Sequence, residues 1–330
     1  MPDAFGARFA VFVDTEEEFD WGAPFSPDAS ATSHMAAMPA AHARFAEHGV
    51  PLTWLVDHPI VACPRSVGIL RSLLEDGRSA VGTQLHPWVN PPFDETISTH
   101  NSFAGNLPRA LQKAKLRTLT EAINAAFGTP PLIYRAGRYG IGLDTPAMLA
   151  ALGYRIDSSM RPGYDYSSEG GPDFTEIPNR PFFLGAERAL IELPLTTVFT
   201  GRLRAKGAGL HRALGRIPRG RGIAARTGLL SRVALTPEDM PLAEALEAIR
   251  IAIGDGLRLL NFSFHSPSLV PGHTPYVRDA GDLAAFHRWW DAVFTLLGQL
   301  GVAPASLAEI VEAACGPALT SASAGAAGGL

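Results

Sequence analysis

Four carboxylates fall within five positions near the amino terminus: Asp14, Glu16, Glu17 and Glu18. They follow directly on the apolar run Phe9-Ala10-Val11-Phe12-Val13, which fits a buried central strand whose tip leaves the core. Residues i and i+2 at a strand end share a face, so Asp14 and Glu16 point the same way. Two like charges held there repel unless a cation or a proton lies between them. Asp14-Thr15-Glu16 is therefore the first candidate site, for a metal or for an acid/base pair, while Glu17 and Glu18 read as a solvated loop. Other unusual polar residues also fall at the ends of apolar runs. These are His86 with Asn90 four residues on, Arg135 with Arg138 behind it, Asp157, and His265 followed by Ser266. Gathered at one mouth, they would support metal-assisted hydrolysis. A divalent cation held by carboxylate and imidazole, with a vacant position, acidifies a water. A second carboxylate then serves as general base, and a His on the opposite side protonates the leaving amine. An Arg holds the base carboxylate ionised and in place. No G-x-S-x-G nucleophile turn and no G-x-x-x-x-G-K-[ST] phosphate loop is present.

The elements that must position these residues alternate. Strands are expected at Pro51–Val56, Ala80–Leu85, Leu132–Arg135, Tyr154–Ile156, Ile191–Leu195 and Leu257–Phe264. Helical periodicity covers Ser33–His48, Val67–Glu75, Arg109–Phe127, Pro146–Leu152, Leu242–Ile253, Leu283–Leu300 and Leu307–Ala314. Strands alternating with helices at this pace argue for a parallel sheet or barrel. In parallel sheets the chemistry lies at the carboxyl ends of the strands, where the polar residues above fall. No internal repeat is visible, and no sharp linker divides the chain, so one domain over residues 1–315 is expected. The small and polar stretch Gly316–Leu330 reads as a disordered tail.

With 330 residues, 46% hydrophobic and 18% charged, the chain is long enough to bury a sizeable core. Its net charge of −4 argues against a general affinity for nucleic acid. The charge is unevenly spread. Residues 202–232 hold nine Lys/Arg and no Asp or Glu, which leaves −13 for the rest. This basic insertion reads either as a mobile, solvated segment or as an arm that contacts an anionic surface. The amino terminus lacks a basic region followed by an apolar stretch, so no signal peptide is expected. No apolar run approaches a membrane span. Cys63 and Cys315 form no metal or redox motif. A cytoplasmic location is the expectation.

The ordered series VDTEEEF, GTQLHPW, YRAGRYG, DSSMRP and LNFSFHSPSL, with the linking stretches NSFAGNLP, GGPDF and PGHTPYVRD, resembles the polysaccharide deacetylase superfamily (NodB homology, carbohydrate esterase family 4). Within it, the series is most similar to the WalW-type branch, from about Phe9 to about Val302. The resemblance implies an α/β fold, a distorted (β/α) barrel of about seven parallel strands. It also implies a hydrolase that takes N-acetyl groups from a sugar or polysaccharide precursor with the help of a divalent metal such as zinc. Carried over by position, Asp14 matches the family's base, Glu16 its metal carboxylate, Arg135 the residue that orients Asp14, and His265 the general acid. The family's second motif has two His separated by three residues. Here His86 is one of them and the position four later is Asn90, or, in an alternative alignment, Gln84 occupies the first. Either way one His ligand is lost, and the expected metal ligands are Glu16, His86 and Asn90, the amide binding through its carbonyl oxygen as a weaker ligand for zinc. His100 is a candidate substitute, or an ordinary loop His. Trp88, Arg138, Asp157 and Ser266 are the candidates for substrate contact, and Trp21, Phe93 and Tyr139 could stack on sugar rings. Two other readings stay open: an allantoinase-like hydrolase of another C–N bond, and a metal-free glycan-binding protein.

Overall fold

The apolar run at the amino terminus forms β1 (Arg8–Thr15), the strand around which the sheet is laid. The computed structural model describes residues 1–185 and 188–315, so the tail expected at 316–330 lies outside the described residues. After β1 the chain runs through α1 (Met38–Glu47), β2 (Leu52–Val56), α2 (His58–Ala62), α3 (Pro64–Leu73) and β3 (Ala80–Leu85). Then come α4 (Arg109–Phe127), β4 (Ile133–Ala136), α5 (Thr145–Ala151), β5 (Ile156–Asp157), β6 (Phe182–Leu184) and β7 (Leu190–Glu192). The last third holds β8 (Thr197–Thr200), α6 (Gly207–Gly215), α7 (Gly220–Arg226), β9 (Ser231–Ala234), α8 (Leu242–Gly254), β10 (Leu259–His265), α9 (Ala280–Gln299), β11 (Ala303–Pro304) and α10 (Leu307–Cys315).

Seven strands pair in parallel in the order β10-β1-β2-β3-β4-β5-β7, and β6 adds antiparallel at the edge. The sheet curls into a half-barrel, as expected of about seven strands. Its two ends meet without a ladder. Asn261 on β10 gives its amide hydrogens to Leu193 O and Ser158 Oγ, each at 3.0 Å, and its backbone N donates to Thr196 Oγ1 at 2.8 Å. The alternation of the strands sorts their side chains. Phe9, Val11 and Val13 join the large outer core beneath the helices, with Trp54, Tyr134, Phe262, Phe264 and Trp290. Ala10 and Phe12 join a second cluster with Leu55, Ile133, Ile156, Ile191 and Leu259, which fills the inside of the curl. α10 closes the lower end of this cluster with Leu307, Ile310 and Val311. The next inward positions toward the carboxyl ends are Asp14, Gln84 and Arg135, one step above an apolar plug.

The basic stretch is folded. β8 and β9 pair antiparallel as a separate two-stranded sheet, and α6 and α7 fill the connection between them. The segment 202–232 carries backbone hydrogen bonds and buries Ala224 and Leu230. Leu203, Ile217, Ile223 and Leu229 remain exposed on it. No helix among the described residues is long and apolar enough to cross a membrane.

Candidate active site

The carboxyl ends of β1, β3, β4 and β10 open into a cavity of about 340 Å³ lined by Asp14, Glu16, Gln84, His86, Arg135 and His265, among others. Parallel pairing sets the central arrangement. Asp14 and His265 are register partners on β1 and β10, as are Gln84 and Arg135 on β3 and β4. Arg135 is fully buried, and its Nη1 donates to Asp14 Oδ1 at 2.6 Å. The rest of its guanidinium is fixed by donation to Ser158 O (3.0 Å) and Ser158 Oγ (3.2 Å). Asp14 Oδ2 is left facing His265 Nε2 at 3.8 Å.

Glu238, which sequence reasoning missed, orients His265. It sits on the loop after β9 and accepts from His265 Nδ1 at 2.7 Å and from the His265 backbone N at 3.0 Å. Burial alone would lower the pKa of the imidazole. The carboxylates of Glu238, Glu16 and Asp14 outweigh it and push the value up to about 10. His265 is therefore charged at neutral pH, with Nε2 carrying a proton toward the cavity.

Glu16, Gln84 and His86 form the floor beside this pair. His86 Nε2 lies 3.5 Å from Glu16 Oε2, and Gln84 Nε2 lies 3.1 Å from the same oxygen. Glu16 Oε1 and Gln84 Oε1 are buried with no hydrogen-bond partner. Burial pushes the Glu16 carboxyl up to about 8, against the lowering effect of His265 and His86. A carboxylate oxygen, an amide oxygen and an imidazole nitrogen, two of them orphaned, fit the donor set of a divalent cation. Gln84, from the alternative alignment, is thus the residue brought to Glu16. Asn90 is not. A short turn at Pro87–Val89 carries it away from the cavity wall, and its Nδ2 donates to Pro91 O and Lys115 O. His100 lies on an exposed loop beside Asn106.

The expectation of a solvated Glu17 and Glu18 is corrected. Glu17 is fully buried and accepts from His86 Nδ1 at 2.8 Å and Trp88 Nε1 at 2.7 Å, while its backbone N donates to Asp57. Glu18 caps the turn that follows, accepting from the His34 backbone N and Ser33 Oγ. Ligand atoms of Glu17, Asp57 and His86 lie within 4.8 Å of one another, a cluster that could itself hold an ion. Its carboxylate oxygens are already spoken for by N–H donors, which suits the role of fixing His86 through Nδ1 and leaving Nε2 free. Burial first, then repulsion from Glu17, raises the pKa of Asp57.

Trp88 stacks on the His86 ring with centroids 4.3 Å apart, and Arg138 lies over Phe103 and pairs with Glu169. Both line the cavity. Asp157 and Ser266 do not. Asp157 faces outward from β5 against Glu192, its register partner, where burial raises both carboxyls. Ser266 is fully buried and holds the Glu16 backbone N and His34 Nε2.

Gly137 makes this packing feasible. A Cβ there would overlap the His86 ring and come within 2.7 Å of the Leu85 carbonyl. Gly137→Ala is expected to displace His86 and to weaken any divalent ion held there by about 10- to 100-fold, the usual effect of disturbing a ligand's support. Calorimetric titration of zinc checks this, and an unchanged affinity would remove His86 from the site.

No protein-family model matches the chain, and no curated protein matches it. Solved structures do. A candidate polysaccharide deacetylase from Mycobacterium smegmatis superposes with a TM-score of 0.54 at 18% identity, covering 94% of this chain and 91% of that one. The chain has the fold of the polysaccharide deacetylases. A probable polysaccharide deacetylase from Pseudomonas aeruginosa PAO1 gives the same TM-score of 0.54 at 13% identity, covering 95% and 92%. The PuuE allantoinase also reaches 0.54 at 13% identity, covering 93% and 90%. The curled parallel sheet is thus a shared scaffold, and the side chains at its mouth must decide the chemistry.

Proposed function

We propose that this chain is a metal-dependent hydrolase that removes an N-acetyl group from a sugar. The observation that carries this reading is the Asp14–His265 pair, a buried carboxylate and a charged imidazole 3.8 Å apart at the edge of the Glu16–Gln84–His86 floor. Glu16, His86 and Gln84 are the residues that would hold a divalent ion. When bound, the ion would polarise the amide carbonyl and acidify the attacking water. Asp14 Oδ1 is engaged by Arg135, so Oδ2 is the atom that takes the proton from water. His265 Nε2 gives its proton to the departing nitrogen. The separation of the two groups lets Asp14 return its proton to His265 after the product leaves. Trp21 and Tyr139 in the cavity wall offer faces for a sugar ring.

Acetate release from N-acetylated chito-oligosaccharides by the zinc-loaded protein tests the reading. The shared scaffold with the PuuE allantoinase motivates a parallel screen of small ureides. Cleavage of a ureide with no acetate release would move the assignment to another C–N bond, and saturable glycan binding with no cleavage would favour a binding protein.

The raised pKa of Glu16 implies a pH dependence. The carboxyl is protonated below about 8, and an ion must displace that proton. Zinc affinity is expected to rise about tenfold per pH unit between 6 and 8 and to level off above. A flat profile in competition titrations would count against Glu16 as ligand. The basic segment 202–232, with Ile217 and Ile223 exposed, supports contact with an anionic surface. Co-sedimentation with anionic but not neutral vesicles would be the expected result.

A further inference from the structure

The cationic side chains of the cavity wall are matched to acids with one exception. Arg135 pairs with Asp14, Arg138 with Glu169, His86 with Glu17 and His265 with Glu238. Arg161 lines the same cavity, and among the described residues no carboxylate lies within 4 Å of it. Its guanidinium stacks on Tyr164 at 3.9 Å and approaches Tyr139 at 5.2 Å. Stacking occupies the face of a guanidinium and leaves the N–H groups along its edge free. One edge contact is formed, a long one of 3.5 Å from Nη1 to Tyr166 Oη, and Nε is buried with no acceptor. Behind it, Arg232 stacks on the same Tyr164 ring at 3.4 Å and also lacks a carboxylate partner among the described residues. Two guanidinium groups sharing one phenol ring with no acid beside them form a concentrated positive charge. The fork and its orphaned donor suit the two oxygens of a phosphate or carboxylate.

We propose that Arg161 is the anion-binding residue of the substrate site, and that the substrate is an N-acetyl sugar carrying a phosphate or a carboxylate. This rests on the deacetylase reading above and narrows its substrate class. Arg161 lines the same cavity as Asp14, Glu16 and His265, so the anion belongs to the reacting sugar unit or to the group joined directly to it.

The test is calorimetric binding to zinc-loaded protein of N-acetylglucosamine, its 1-phosphate, N-acetylmuramic acid and inorganic phosphate, for wild type, Arg161→Gln and Arg161→Lys. At least one anionic sugar is expected to bind at least tenfold tighter than the neutral one. That advantage should vanish in Arg161→Gln and survive in part in Arg161→Lys, which keeps the charge, loses the fork and serves alone if the Gln variant fails to fold. Whichever anion gains identifies phosphate or carboxylate. Equal affinities in wild type, or an advantage that persists in Arg161→Gln, overturn the proposal and leave the hydrolase reading standing. If no sugar binds, the deacetylase reading falls and inorganic phosphate decides. Phosphate binding lost in Arg161→Gln still supports an anion site, whereas no binding, or binding indifferent to the substitution, removes it.

Discussion

His265→Ala is expected to lower kcat by roughly 10²- to 10⁴-fold, the range spanned by loss of a general acid, while the protein stays folded. The imidazole reaches the cavity from the tip of β10, and its Nε2 lies 3.8 Å from Asp14 Oδ2. The substitution removes the counter-charge of the buried Glu238, which keeps three donors, the backbone N of residue 265, Ser268 Oγ and Thr236 Oγ1, so some stability is lost with the imidazole. The loss of activity should fall on kcat, with KM close to wild type and a folded protein of lowered unfolding temperature. Steady-state kinetics on the substrate identified by acetate release, together with circular dichroism, give the answer. Unchanged turnover would take His265 out of the mechanism.

Arg135→Ala should be the most damaging substitution for the fold. The guanidinium is fully buried and donates to the buried Asp14 carboxylate inside the curl. Its removal leaves a buried carboxylate without its counter-charge, at a cost of about 3–5 kcal/mol. It also opens a void beneath Ser158 and Phe12, over whose ring Arg135 lies at 5.8 Å. Adding Asp14→Asn should recover a large part of the stability, because the stranded charge is then gone, while activity stays lost. Urea denaturation of the two single variants and the double variant measures the coupling. A single variant within about 1 kcal/mol of wild type would mean that the ion pair contributes little.

The order of strands and helices was legible because each strand reads as an apolar run and each helix as a stripe. Arg109–Phe127 is the same helix in sequence and in structure. The site was legible where period-two alternation carried it. Asp14 and Glu16 sit two apart at the carboxyl end of β1, and His86 and His265 were read from their places at strand ends, whereas Gln84 entered only through the alternative alignment. The same rule misled at Asp157. β5 has two residues, too few to show an alternation, and Ile156 takes the inward place. At Asn90 the spacing of the family's second motif is interrupted by the turn at Pro87–Val89, which no strand or helix period describes. Glu238, Asp57 and Glu17 were hidden for a different reason. Their partners lie 27, 40 and 69 positions away, and loops bring them together. Side chains supplied by loops have no periodicity to betray them.

The most direct test is the zinc content of protein loaded and then gel-filtered, by elemental analysis, for wild type, His86→Ala and Glu16→Gln side by side. The account predicts close to one ion per wild-type chain and little in either variant. Wild-type protein that holds no divalent ion, or variants that hold as much as wild type, would contradict a metal-dependent site on the Glu16–Gln84–His86 floor.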